Sequence, residues 1–465
     1  MMDDTCSQGG AFDLLKQLEH ILETDNLIDE VGFVHPSQFV ALNKGLNSSC
    51  PPSVSVLEST DGNIGRDTAE DTVEQYDHNI FWNKDNKLAI STSSVLPLYG
   101  AAVHAFMSAS RQYKASINLP ERTDSVDESV DHRYSNCRTF LENELMRHSK
   151  ALVILSCDFG SAWNSRKLIV SRKQSFSLFM GELQLSTLTL SYSPKSECAW
   201  NHRRWVIKMI AGKCDNLSEI MRKDSELVEK IAEKSKMNYR AWNHRCWLVS
   251  YMTTEQVLDE LNQSRKWAEL HVADNCCFHY RRRLLLWIFE ESRSKEVEAC
   301  FDYKIDLYLV WKEEFIWDEM LIKRYIGREA LWVHRRFLSQ CWIKHFMDAQ
   351  SEICHHSENY VFDTLLNNEL QLLHCCLSKS DNAFEDCQMH AELAASYILW
   401  ISKQFPQTLE SELQVKLKGI LNKGCLMIHS NVITNPCRVP QPRLQLKSDV
   451  PNRKLEMLKL TLSKS

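Results

Sequence analysis

The chain has 465 residues, with 55 Lys and Arg against 61 Asp and Glu, for a net charge of −6. Its 13 glycines and 11 prolines are about 5% of the sequence, where an average protein carries about 12%. That argues against all-β, collagen-like and low-complexity chains and favours helices joined by short loops. The mild acidity counts against a general nucleic-acid binder, and no apolar run approaches the roughly 20 residues of a membrane span.

In chain order, MMDDTCSQGG is acidic and lacks an apolar stretch, so no secretory leader is expected. The 17 cysteines then read as reduced thiols of a cytoplasmic protein. Apolar residues recur at helical spacing over 10–42, giving an N-terminal helical segment, 1–44. Residues 45–78 turn polar, with Pro51-Pro52, and read as a mobile loop. A helical flank with a second polar loop covers 79–139. A dense Trp- and Arg-rich array fills 140–345, further amphipathic helices fill 346–434, and a Pro-containing tail covers 435–465.

Self-comparison exposes a repeat within the array. Ser161-AWNSRK, Cys198-AWNHRRW, Arg240-AWNHRCW, Cys276-CFHYRRR and Ala330-LWVHRRF align on Trp163, Trp200, Trp242, Phe278 and Trp332. The spacings are 37, 42, 36 and 54 residues, and each anchor lies between two helix-like stretches. The unit is a helical hairpin. Its aromatic and its Arg, as in Trp200 with Arg203, Trp242 with Arg245, Phe278 with Arg281 and Trp332 with Arg335, stand at i and i+3 on one helical face. The ring fills the space between helices, and the guanidinium reaches a carboxylate or open helix-end carbonyls. One hairpin cannot bury its faces alone, so the fold is expected to be all-α, a crescent-shaped α-solenoid. The histidines inside the motif (His202, His244, His334) read as packing elements rather than bases. Cys341, His345, Cys354, His355 and His356 lack a second pair at standard zinc spacing, so core or surface roles are expected for them.

The Ala-Trp-Asn-His-Arg-x-Trp pattern resembles the repeat of protein prenyltransferase α subunits. The resemblance implies a scaffold around a β subunit that carries the catalytic zinc and most of the isoprenoid pocket. The α subunit itself would lack a metal and would supply, from an inter-helix loop, a lysine near the isoprenoid diphosphate. The family places that lysine five residues before a repeat Trp, which here gives Lys195 as the catalytic candidate. A fixed cation there would stabilise charge growing on the departing diphosphate. The family's Tyr two residues after the lysine is replaced by Glu197, whereas Asn238-Tyr239 match its Asn-Tyr pair. Tyr239 and Arg240 are therefore candidates for lining the same edge. The implied activity is transfer of an isoprenoid, geranylgeranyl favoured, from its diphosphate to a protein cysteine, with a β subunit of the Rab geranylgeranyltransferase type. The alternatives are a non-enzymatic adaptor and, less favoured, an RNA-binding repeat.

Overall fold

The computed structural model describes residues 3–44, 80–117, 128–214, 216–295, 306–347, 367–376 and 385–404. They belong to two units, Met1–Lys304 and Ile305–Ser465. The division falls inside the segment expected to form one array.

In the first unit, continuous helix was expected over 10–42. The chain instead forms α1 (Asp3–Thr24), β1 (Glu30–Val34) and α2 (Pro36–Lys44). Two more strands follow, β2 (Phe81–Lys84) and β3 (Lys87–Ser91). The sheet order is β1-β3-β2, with β1 parallel and β2 antiparallel to β3. Asp85 and Asn86 both take positive φ, 53° and 62°, the backbone of a tight hairpin whose twist matches the strands. Leu88, Ala89 and Ile90 of the central strand are buried. This small sheet corrects the purely helical expectation for the N-terminal third; the rest of the unit is helical.

The helices are α3 (Val95–Ile117), α4 (Glu128–Leu155), α5 (Gly160–Lys173), α6 (Phe176–Tyr192), α7 (Glu197–Ile210), α8 (Leu217–Lys234), α9 (Tyr239–Leu248), α10 (Thr254–Leu270) and α11 (Asn275–Lys295). From α4 onward they pair as hairpins, 4/5, 6/7, 8/9 and 10/11, and the second helices pack in sequence, α5 on α7, α7 on α9, α9 on α11. The sheet sits against α6, where the Val31 N–H donates to Ser191 Oγ at 3.1 Å. Local signals set the helix starts. Ser196 accepts from the Ala199 N–H and Asn238 from the Ala241 N–H. Thr253 and Gln256 close a capping box on α10, and each such cap contributes about 1 kcal/mol.

The repeat arginines join successive hairpins. Arg166 of α5 grips Glu182 of α6, with Nε to Oε2 at 3.0 Å, while its NH1 donates to the Met146 carbonyl of α4 at 2.6 Å. Arg203 of α7 does the same to Asp224 of α8 (3.0 Å) and the Leu183 carbonyl of α6 (2.8 Å). Arg245 of α9 reaches Glu260 of α10 at 2.8 Å. Arg166 and Arg203 thus use both expected partners at once, a carboxylate and a backbone carbonyl, while Arg245 bonds two carboxylates, Glu260 and Glu229. The next hairpin completes each joint: His202 Nε2 lies 2.8 Å from Glu182, His244 Nε2 lies 2.8 Å from Asp224, and the Tyr280 hydroxyl donates to Glu260. Burial raises the pKa of Glu182 and Asp224, but Arg166 and Arg203, with the histidines, outweigh it and hold both carboxyls at about 2. Burial holds His244 down at about 4, so its ring is neutral and its Nε2–H is the donor. Each anchor indole lies against the next unit's His or Tyr: Trp163 and His202 at 4.5 Å, Trp200 and His244 at 4.8 Å, Trp242 and Tyr280 at 5.7 Å.

The second unit holds α12 (Leu307–Arg324), α13 (Glu329–Trp342), a π-helical turn (Ile343–Met347), a helical stretch at 367–376 and α14 (Glu385–Ser402). The joint recurs. Arg335 of α13 donates to the Phe315 carbonyl of α12 at 2.6 Å and to Glu369 at 2.5 and 3.1 Å, and His334 Nε2 lies 3.0 Å from Glu314. Gly327, at φ +71°, turns the hairpin beneath α14, where an added Cβ would stand 2.9 Å from Met389 Cε and 3.2 Å from the Asp386 carbonyl oxygen.

Candidate functional site

The loops between the two helices of each hairpin lie along one edge of the first unit. They are knitted to each other by hydrogen bonds. Ser196 Oγ donates to Asp158 Oδ1 at 2.8 Å, linking the α6–α7 loop to the α4–α5 loop. Asn238 caps α9 with its carbonyl and donates its amide to the Pro194 carbonyl at 2.9 Å. The same carbonyl accepts the Trp200 indole N–H at 3.1 Å, so two donors fix the backbone beside Lys195. The anchor Trp and the capping Asn thereby hold the loop that carries the candidate lysine.

Lys195 projects from this loop into solvent and makes no ion pair among the described residues. Its charge acts on the Cys276 thiol at the start of α11, two hairpins away in sequence. Tyr239 is 61% exposed at the start of α9. Arg240 beside it donates to Glu197 Oε2 at 2.6 Å. The edge therefore brings together Lys195, Tyr239 and Arg240. It also engages Glu197, the residue at odds with the family pattern: hydrogen bonding and charge from Arg240 hold its carboxyl below the usual range. An exposed cation on a loop fixed at Pro194, beside an acid already paired with Arg240, can meet a phosphate oxygen as a point charge.

The repeat anchors sit elsewhere. Trp163, Trp200, Trp242, Phe278 and Trp332 are all 2% exposed or less, and Arg203, Arg245, Arg281 and Arg335 are 5% or less. Their chemistry is spent on the joints. Sequence reasoning named the arginines but not the acids they grip. The signal was present: Glu182, Asp224 and Glu260 each stand 21 residues before the motif Arg of their own hairpin, and Glu314, the partner of His334, stands at the same offset before Arg335. Among the described residues no group of three or more His, Cys, Asp or Glu forms a metal site. Cys341 is a buried thiol pushed up to about 12 by burial, and Cys354, His355 and His356 lie outside the described residues. No described helix is long and apolar enough to cross a membrane.

Comparison with known proteins gives this architecture its relatives. The protein prenyltransferase alpha subunit repeat matches residues 179–210, 223–252 and 257–288, which are the hairpins 6/7, 8/9 and 10/11. Three successive hairpins of the chain are thus similar to prenyltransferase alpha subunit repeats. Curated relatives named protein prenyltransferase alpha subunit repeat-containing protein 1 are 29% identical in Homo sapiens over 45% of this chain, and 27% identical in Danio rerio over 57%. The 1-B form of Xenopus laevis is 29% identical over 42%. The alignments span 62%, 70% and 54% of those proteins. The hairpins 4/5 and 12/13 fall outside the matched repeats yet build the same Arg joint, through Arg166 and Arg335.

Proposed function

We propose that this chain is an α-like subunit of a heterodimeric protein prenyltransferase. The observation that carries the reading is the lysine-bearing loop edge of alpha-type repeats, with Lys195 fixed five residues before Trp200 and Glu197 neutralised by Arg240. In this reading the chain scaffolds a β subunit, of the Rab geranylgeranyltransferase type by family analogy. That subunit supplies zinc and the isoprenoid pocket, and the complex works in the cytoplasm. Lys195 stabilises charge on the leaving diphosphate as a protein thiolate attacks the isoprenoid, geranylgeranyl favoured, while Tyr239 and Arg240 line the same edge.

The test is co-expression with each candidate β subunit, followed by size-exclusion chromatography and a transfer assay. The expected result is a one-to-one complex with one β subunit. In it, Lys195→Ala leaves assembly intact and lowers kcat by about 10²–10³, the loss typical of one electrostatic stabiliser. Elution alone beside every β subunit refutes the reading. A second reading, a non-enzymatic adaptor that binds a protein partner, is favoured by the solvent exposure of Lys195 and the Glu197 departure; it expects a well-folded chain that elutes alone beside every β subunit, whereas wild-type transfer by a Lys195→Ala complex would remove only the lysine's role.

A further inference from the structure

Immediately after each joint arginine comes a residue on the neighbouring strip of the second helix: Arg204 on α7, Cys246 on α9 and Arg282 on α11. These positions are equivalent in hairpins that pack in sequence, so they form one line. Unlike the joint arginines, Arg204 and Arg282 hold no carboxylate among the described residues. Arg204 Nε and Arg282 NH1 are shielded from solvent and donate to no hydrogen-bond partner among the described residues. Arg283, half-buried beside Arg282, has no ion pair among the described residues either. The acid whose charge reaches Arg204 is Glu197, which Arg240 already holds. Burial lowers the pKa of both Arg204 and Arg282, and the charges near them offset that only in part. Half-buried indoles flank the line: Trp205 stands under Lys167 at 5.9 Å, and Trp247 under Lys208 at 5.8 Å.

Unpaired guanidiniums are costly in a free subunit and become favourable when a carboxylate completes them, because the Arg fork matches two carboxylate oxygens. Arginine and tryptophan together are also the composition of interface hot spots. Adjacent helices lie about 8–10 Å apart, so the line from α7 to α11 runs about 16–20 Å. That is too long for one phosphate or diphosphate, and about six residues of extended chain cover it.

We propose that this strip of α7, α9 and α11 docks an acidic segment of a partner protein, whose carboxylates pair with Arg204, Arg282 and Arg283. The proposal does not depend on prenyl transfer.

The test is fluorescence anisotropy of a labelled oligoglutamate peptide titrated with the full chain at low salt. Arg204→Gln with Arg282→Gln is expected to weaken binding about tenfold per arginine. Arg282→Lys, which keeps the charge, loses less, and Lys266→Gln, an exposed charge on α10, changes nothing. The melting temperature of the double variant should hold or rise, since unpaired buried charge is removed; if that variant misfolds, Arg283→Gln alone carries the test. The proposal is overturned if the peptide fails to bind, if Lys266→Gln weakens it as much, or if pyrophosphate binds and the peptide does not. Binding that appears only after deletion of residues 45–78 would assign the strip to the chain's own acidic segment and likewise overturn it.

Discussion

Asp224→Asn isolates the joint. Asp224 is 1% exposed and accepts from Arg203 and from His244. The amide keeps shape and volume but removes the charge and turns half of the acceptor surface into donors. Arg203 retains the Leu183 carbonyl and Ser186 Oγ through NH1, yet its Nε and NH2 then face an amide in a dry site. Breaking a buried ion pair by altering one partner costs about 3–5 kcal/mol, because the other charge stays buried. In chemical denaturation followed by tryptophan fluorescence, the loss should appear as about that much stability, with the nearby Trp200 and Trp242 reporting. The triple variant Arg203→Met, Asp224→Leu, His244→Phe removes all three polar groups together and should be destabilised less than Asp224→Asn. If the triple variant is the worse of the two, or Asp224→Asn costs under 1 kcal/mol, the buried-charge account of the joint is wrong.

Three further outcomes follow from the same physics. Asp318 is fully buried, neither carboxylate oxygen accepts a hydrogen bond, and Arg335 NH1 is 3.8 Å away. Burial, and behind it Glu314, Glu369 and Glu319, push its carboxyl far above the usual range against the opposing pull of Arg335. The folded state therefore holds a proton that the unfolded chain releases near its ordinary value, so stability is full at acid pH and falls as pH rises toward the folded value; Asp318→Asn should raise the melting temperature at pH 7 and flatten that dependence. Glu182 and Asp224 act in the opposite sense, with stability present above about pH 4.5 and lost as pH falls toward 2, measurable as acid unfolding by circular dichroism. Gly327→Ala should cost about 2–4 kcal/mol, from the positive φ and from contact with Met389 and Asp386, and should increase hydrogen exchange in α14.

The repeat was legible in sequence because its anchors are rare residues at fixed offsets: Trp and Arg three apart define a face wherever they recur. The acids were not, since Glu and Asp are common and the partners of Arg166, Arg203 and Arg245 lie in the next hairpin. The offset of 21 residues becomes meaningful only once the hairpin geometry is known. The sheet escaped for a related reason. Its strands are four or five residues long, β1 and β3 are far apart in sequence, and Leu88-Ala89-Ile90 fits a buried helix turn as well as a strand. At the loop edge, Lys195, Tyr239 and Arg240 could be named from the motif. The salt link that engages Glu197 could not, because it joins the first turns of helices in different repeats.

The first hairpin departs from the pattern in an instructive way. Twenty-one residues before Arg166 stands Leu145, 1% exposed, where later hairpins place an acid, and Ser165 occupies the position of His202 and His244. Hairpin 4/5 thus offers an arginine to its successor but nothing to receive one, and α3 packs on α4. The stack consequently has a direction and a starter. A copy of hairpin 6/7 or 8/9 inserted beside its parent would find a donor on one side and an acceptor on the other, whereas a copy of 4/5 placed inside would strand its neighbour's guanidinium against leucine. Growth of such a chain by duplication is thereby steered to its interior units.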